Sequence, residues 1–163
     1  MIQPERAPVK PRVLCPASGE ALPLEDEVRA LLEAGARGVV EITGPAGAGK
    51  TTALRHLAAV LPSSAPLMFL DGPFLPSSAD LSTRLVLSAG HLPHPSLLAK
   101  YGLAGWHEDE WLEYLLAVHP AACARVLERL RTAPDRTGCP PLPALWGIVL
   151  DQMAADNEIR GAR

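Results

Sequence analysis

A chain of 163 residues with 48% hydrophobic and 20% charged residues has enough apolar material for one domain with a proper core. Its formal net charge of −3 argues against a nucleic-acid-binding surface, which would be basic. No apolar run approaches the ~20 residues needed to cross a bilayer, and no apolar signal core follows the first charges, so neither a membrane nor export is indicated. Cys15, Cys123 and Cys139 are widely spaced and form no C-x-x-C, which fits idle thiols in a reducing cytoplasm.

Residues 1–20 read as an N-terminal arm. Met1 to Arg12 holds three prolines and three basic residues and predicts an extended or mobile segment, with a weak strand or turn at Val13-Leu14-Cys15. Leu24 to Ala34 predicts an amphipathic helix. Leu24, Val28, Leu31 and Leu32 share a face, Glu25, Asp26 and Glu27 occupy the first turn, and Gly35 is a natural stop. Gly38-Val39-Val40-Glu41-Ile42-Thr43 predicts a short buried strand.

The next stretch, Gly44 to Thr52, reads GPAGAGKTT and fits G-x-x-x-x-G-K-[ST], the Walker A phosphate-binding loop. Chemistry asks for these residue types. A triphosphate is a dense anion that backbone N–H groups must surround closely. Gly44, Gly47 and Gly49 keep bulk away and permit positive φ. Lys50 supplies a mobile charge for the β- and γ-phosphates, and the Thr51 hydroxyl suits Mg²⁺. Thr52 to Leu61 predicts the helix whose positive end completes the cradle. The candidate binding set is therefore Gly44, Pro45, Ala46, Gly47, Ala48, Gly49, Lys50, Thr51 and Thr52, with Mg²⁺ and ATP or GTP as the expected ligands.

Pro62-Ser63-Ser64 breaks the chain, and Pro66 to Gly72 predicts a buried strand ending in Asp71. Apolar residues followed by Asp have the Walker B shape. Such an acid at the C-terminal edge of a parallel sheet can hold Mg²⁺ through water, or it can simply start a turn. Pro73 to Ser82 predicts a polar loop. Thr83 to Gly90 predicts a third strand, with a helix from Asp80 as the alternative. His91 and His94, with prolines between and after them, read as loop residues and not as a metal pair.

From Trp106 the pattern is helical. Trp111, Leu112, Leu115 and Leu116 mark one helix over Asp109 to Val118. A second follows Pro120, with Cys123, Val126, Leu127 and Leu130 as its stripe. After a loop over Thr132 to Pro141, Leu142 to Asp156 gives a third, marked by Leu145, Trp146, Val149, Leu150 and Met153. Each has one apolar stripe, so a small helical subdomain over 106–163 is expected beside an α/β core over 21–105. The fold class read from this order is α/β, a reduced parallel sheet flanked by helices and followed by a helical lid-like subdomain.

The phosphate loop identifies the chain as resembling P-loop NTPases. The order beyond it resembles the signal-transduction NTPases of the NACHT group, which are related to AAA+ ATPases. Met68-Phe69-Leu70-Asp71-Gly72 is similar to that group's Walker B, Arg84 to Gly90 to its sensor strand, and Gly138-Cys139-Pro140-Pro141-Leu142 to the Gly-x-Pro that opens its last lid helix. The resemblance implies a nucleotide-dependent switch in which the helical tail closes over bound nucleotide, with a protein partner or further domains in a longer chain. It also implies catalytic roles for Lys50 and Asp71. The chain departs from the group after Asp71, where no acid follows until Asp80, so slow hydrolysis is expected. Arg84, Arg125 and Arg129 are the candidates for an arginine contact to phosphate and read more simply as surface charges. Two other readings stay open: a small-molecule kinase, with Asp71 activating a hydroxyl, and a non-catalytic nucleotide-binding interaction module.

Overall fold

The computed structural model describes residues 3–15, 18–72, 78–90, 95–132 and 140–156. The chain divides into two compact units, Met1–Ala104 and Gly105–Arg163.

The first unit runs β1 (Arg12–Leu14), β2 (Ala21–Pro23), α1 (Leu24–Glu33), β3 (Gly38–Thr43), α2 (Lys50–Val60), β4 (Leu67–Leu70), α3 (Ser78–Thr83), β5 (Leu85–Ser88) and β6 (Leu97–Leu103). Its strands form a six-stranded sheet in the order β2-β1-β6-β3-β5-β4. The inner run is parallel, as expected, with β3 pairing β5 and β6 and with β5 pairing β4. The sheet as a whole is mixed, which corrects the expectation of a purely parallel one. β1 and β2 are antiparallel to each other, and β1 is antiparallel to β6. The cause is local. A tight reversal, with Gly19 N–H donating to the Cys15 carbonyl at 2.8 Å, returns the chain beside itself, and a short connection can only give antiparallel neighbours.

β3 is buried on both faces, and its side chains alternate between two packing layers. Val40 and Ile42 join Leu85 and Leu87 under Leu24 and Val28 of α1 and Ala53, Leu54 and Leu57 of α2. Val39 and Val86 meet Leu81 of α3 on the other side, with Met68 and Leu70 packed against them. Helices therefore cover both faces, which is why β3 and β5 are almost continuously apolar.

Three segments differ from the expectations. α3 occupies part of the anticipated 73–82 loop and shortens the following strand, because Leu81 has a buried place against β3 and β5. β6 had no counterpart in the sequence reading. Its residues do not alternate cleanly, and its pairing to β3 shifts register between Val39 and Val40, leaving Leu98 as an extra residue. The arm, expected to be extended or mobile, is extended but tied down. Glu5 N–H donates to the Arg55 carbonyl at 3.1 Å, Ala7 N–H donates to His56 Nδ1 at 3.2 Å, Val9 is buried, and Leu24 N–H donates to the Pro11 carbonyl at 2.9 Å.

The second unit holds α4 (Glu108–Val118), α5 (Cys123–Thr132) and α6 (Pro143–Ala155), each in contact with the other two. The three stripes bury one another. Leu115, Val126 and Leu150 are fully enclosed, and the Trp111 and Trp146 rings pack with centroids 4.1 Å apart. Directed bonds fix the helices. Asp151 of α6 accepts from Tyr114 Oη at 2.8 Å and from His119 Nε2 at 2.7 Å. Arg125 of α5 donates to the Met153 and Ala154 carbonyls, a favourable charge at the C-terminal end of α6. α4 opens with His107 N–H donating to Glu110 Oε2 at 2.8 Å and with three acids in its first turn. Among the described residues, no helix is long and apolar enough to cross a membrane.

Both tyrosines of the chain tie an element to a carboxylate. Burial, the Glu27 charge and the bond to Glu27 push the Tyr101 phenol up to about 12; burial, the bond to Asp151 and its charge do the same for Tyr114. Both groups ordinarily titrate near 10. The folded state thus prefers the neutral phenols, and that preference is fully present below pH ~10 and lost as pH rises through ~12. Phenolate absorbance in the folded protein should therefore develop near pH 12 for both tyrosines, and Tyr101→Phe should halve its amplitude. Titration of either tyrosine at ~10 in the folded protein would contradict this.

Candidate functional site

Four parallel strands bring their C-terminal ends to one edge of the first unit, and the glycine loop leaves β3 at that edge. Thr43 Oγ1 donates to the Tyr101 carbonyl at 3.2 Å, which fixes the end of β3 against β6 just before the loop begins. Gly44, Pro45, Ala46 and Gly47 are exposed, while Ala48 is buried and anchors the loop from below.

The glycines are there for backbone reasons. Gly44, Gly47 and Gly49 have φ of 155°, 80° and 88°, in the region that residues with a Cβ rarely enter. A Cβ on Gly44 would also lie 2.9 Å from the Ala48 Cβ. Gly49 is the N-cap of α2. The start of that helix has no side-chain cap and no acid in its first turn. α1 and α4, by contrast, each carry three acids there. The positive end of α2 thus has no neutralising acid from its own first turn, in a helix whose first residue is itself a lysine.

Lys50 turns back over the loop, donating to the Gly44 carbonyl at 2.7 Å and the Pro45 carbonyl at 3.0 Å. In a trans peptide the following N–H points opposite to its carbonyl, so the Ala46 N–H is directed away from the ammonium.

Thr51 and Asp71 meet. The Thr51 hydroxyl donates to Asp71 Oδ1 at 3.1 Å, although β5 stands between β4, which Asp71 follows, and β3, which leads into the loop. Two hard oxygen groups, a hydroxyl and a carboxylate, face solvent together at the mouth of the loop. This is the donor chemistry that Mg²⁺ accepts alongside phosphate oxygens and water. Among the described residues there is no group of three or more His, Cys, Asp or Glu that could hold a metal. Gly72 follows Asp71 with φ of 140°, a conformation that would strain an acidic residue at that position.

Arg84 is exposed at the opposite end of β5 from its Ser88 terminus. Arg125 is engaged with the α6 carbonyls, and Arg129 lies 4.0 Å from Asp156. His91, His94, Gly138 and Cys139 lie outside the described residues. Cys15 and Cys123 are free thiols.

The sequence reading passed over three buried polar residues. Glu41, 1% exposed, sits three residues before Gly44 and lies 3.8 Å from Lys100 of β6. Ser88, its cross-strand neighbour on β5, is fully buried with no hydrogen-bond partner for its hydroxyl among the described residues. A lone acid inside the apolar run Val39-Val40-Glu41-Ile42 was the available signal for the first. His56 of α2, 4% exposed, was hidden within an ordinary helical stripe.

Comparison of the chain with protein-family models, with curated proteins and with solved structures gave no match.

Proposed function

We propose that this protein binds a Mg²⁺-nucleotide at Gly44–Thr52 and acts as a nucleotide-dependent conformational switch of the P-loop NTPase type, with slow hydrolysis. The observation that carries the reading is the Thr51–Asp71 contact at 3.1 Å beside a loop whose glycines all have positive φ. A chance glycine turn has no reason to bring a hydroxyl at the start of a helix onto a carboxylate from a strand two places away.

Each part has a distinct role in this reading. The loop N–H groups and the N-terminal end of α2 receive the phosphates. Lys50 leaves its two carbonyl partners and pairs with phosphate oxygens, exchanging neutral acceptors for charged ones. Thr51 and Asp71 hold Mg²⁺, with Asp71 acting directly or through water, and the ion supplies charge neutralisation at the phosphates. ATP is the preferred nucleotide by analogy with the NACHT-like order of motifs, and GTP is compatible with the same loop.

Isothermal calorimetry with Mg²⁺-ATP and Mg²⁺-GTP tests binding. The wild type should bind at least one of them, Lys50→Ala should bind at least tenfold more weakly, and omission of Mg²⁺ should weaken binding in the wild type more than in Asp71→Asn. Equal affinity in wild type and Lys50→Ala would end the proposal.

Hydrolysis is expected to be slow, about 10⁻⁴ to 10⁻² per second, the range of GTPases without an activating partner. The support is the glycine at position 72 and the commitment of Arg125 and Arg129 to α6 and its C-terminal end. Phosphate release at many turnovers per second would refute this part. The same two features favour the non-catalytic reading over the kinase reading, and a turnover indistinguishable from that of Lys50→Ala would establish a binding module.

A switch needs a second state that nucleotide stabilises differentially. The helical unit is the proposed carrier of that state. Hydrogen exchange should then show altered protection in α4 or α6 on adding nucleotide, as well as in the loop; change confined to 44–57 would leave binding without switching.

A further inference from the structure

We propose that His56 is a proton-operated latch that fastens the N-terminal arm to α2 and lets it go in acid. The inference rests on the geometry around the imidazole and does not depend on nucleotide binding.

His56 is almost fully enclosed, and both of its ring nitrogens are committed. Ala7 N–H donates to Nδ1 at 3.2 Å, and Nε2 lies 3.3 Å from Glu25 Oε2 of α1. A backbone N–H can only donate, so Nδ1 must present a lone pair. Nε2 then carries the hydrogen and donates to the carboxylate. A single form of the ring satisfies both contacts: the neutral imidazole protonated at Nε2. Adding a proton places N–H on both nitrogens and sets the new Nδ1–H against the Ala7 N–H, donor facing donor. The Glu25 contact survives and becomes an ion pair. The two bonds therefore respond oppositely to protonation. The tie between α1 and α2 is kept, and the tie between α2 and the arm is lost.

The charged groups around the ring are few. Glu25 touches it from α1. Glu5 of the arm and Arg55 of α2 pair with each other at 3.6 Å on the surface, and Arg6 flanks Ala7 in the chain. β4, which also packs against α2, offers only Leu67, Met68, Phe69 and Leu70. With the Ala7 bond gone, the polar ties of residues 3–8 among the described residues are the Glu5 N–H bond to the Arg55 carbonyl and an exposed ion pair of small worth. Val9 remains buried and Pro11 still accepts from Leu24, so the release stops there. The device is a short strap with a fixed hinge.

Hydrogen exchange of the full chain at about pH 7.5 and about pH 5.5, on either side of the ~6.5 of an ordinary imidazole, tests the latch once the rates are corrected for intrinsic exchange. Protection of Ala7 should fall about fivefold or more at the lower pH, the scale of one lost hydrogen bond, while protection of β3 stays constant. His56→Asn is the matched variant, because its side-chain oxygen can accept from Ala7 N–H and does not titrate. It should hold Ala7 protection level at both values. Constant protection of Ala7 in the wild type overturns the latch. So does an equal fall in His56→Asn, which would assign the effect to another group, and so does a parallel fall in β3, which would make it general destabilisation.

Discussion

The first unit depends on one constraint, which is that β3 has to be dry on both faces. A strand covered by helices on each side cannot alternate apolar with polar residues, so Val39, Val40 and Ile42 fill two opposite packing layers. Once α1 and α2 cover one face and α3 the other, the carboxyl end of β3 is held in a fixed place, and the glycine loop inherits that precision. The exposed loop needs no core of its own. It is bounded by the buried Ala48, by the Thr43 bond to β6 and by the start of α2, all of which belong to the strand's packing.

Within this frame Glu41 is the expensive residue. A carboxylate on the central strand is tolerated because Lys100 stands in register beside it on β6 with half its side chain in water. The charge pair spans the boundary between interior and solvent, so the acid is compensated without a second ion being buried. Ser88 next to it leaves a hydroxyl without a partner among the described residues, a local polar debt in a row that otherwise packs tightly.

The elements that were legible in the sequence share one property: their signal is local. β3 announced itself by an apolar run interrupted only by Glu41, α1 by its stripe and acidic first turn, and the loop by residue types that only a close backbone approach requires. The three helices of the second unit were equally plain, because each buries a stripe within a few turns of its own chain. What could not be read depends on distant partners. β6 is a strand because β3 has an open edge on that side. Its own residues, with Lys100 among them and Leu97 and Leu98 largely exposed, carry no period of two. β1 and β2 are three residues each, shorter than any pattern can reveal. α3 places Leu81 in a layer with Val39 and Val86, residues far from it in sequence or on another element. At the site, the sequence could name Thr51 and Asp71 separately, but their meeting depends on where β4 falls in the sheet order, and strand order is not written in spacing.

That order gives the Thr51–Asp71 contact a mechanical meaning. Asp71 follows the end of β4, an edge strand whose one strand neighbour in the sheet is β5, whereas Thr51 is carried by the helix that leaves β3. A slip of β4 by one residue along β5 would displace Asp71 by about 3.3 Å and turn its side chain to the other face. The hydroxyl–carboxylate bond would then be far out of reach. The site therefore acts as a gauge of sheet alignment, closed only when the edge strand is in register, and any force that shears the edge of the sheet is felt first by the pair of oxygens at its mouth.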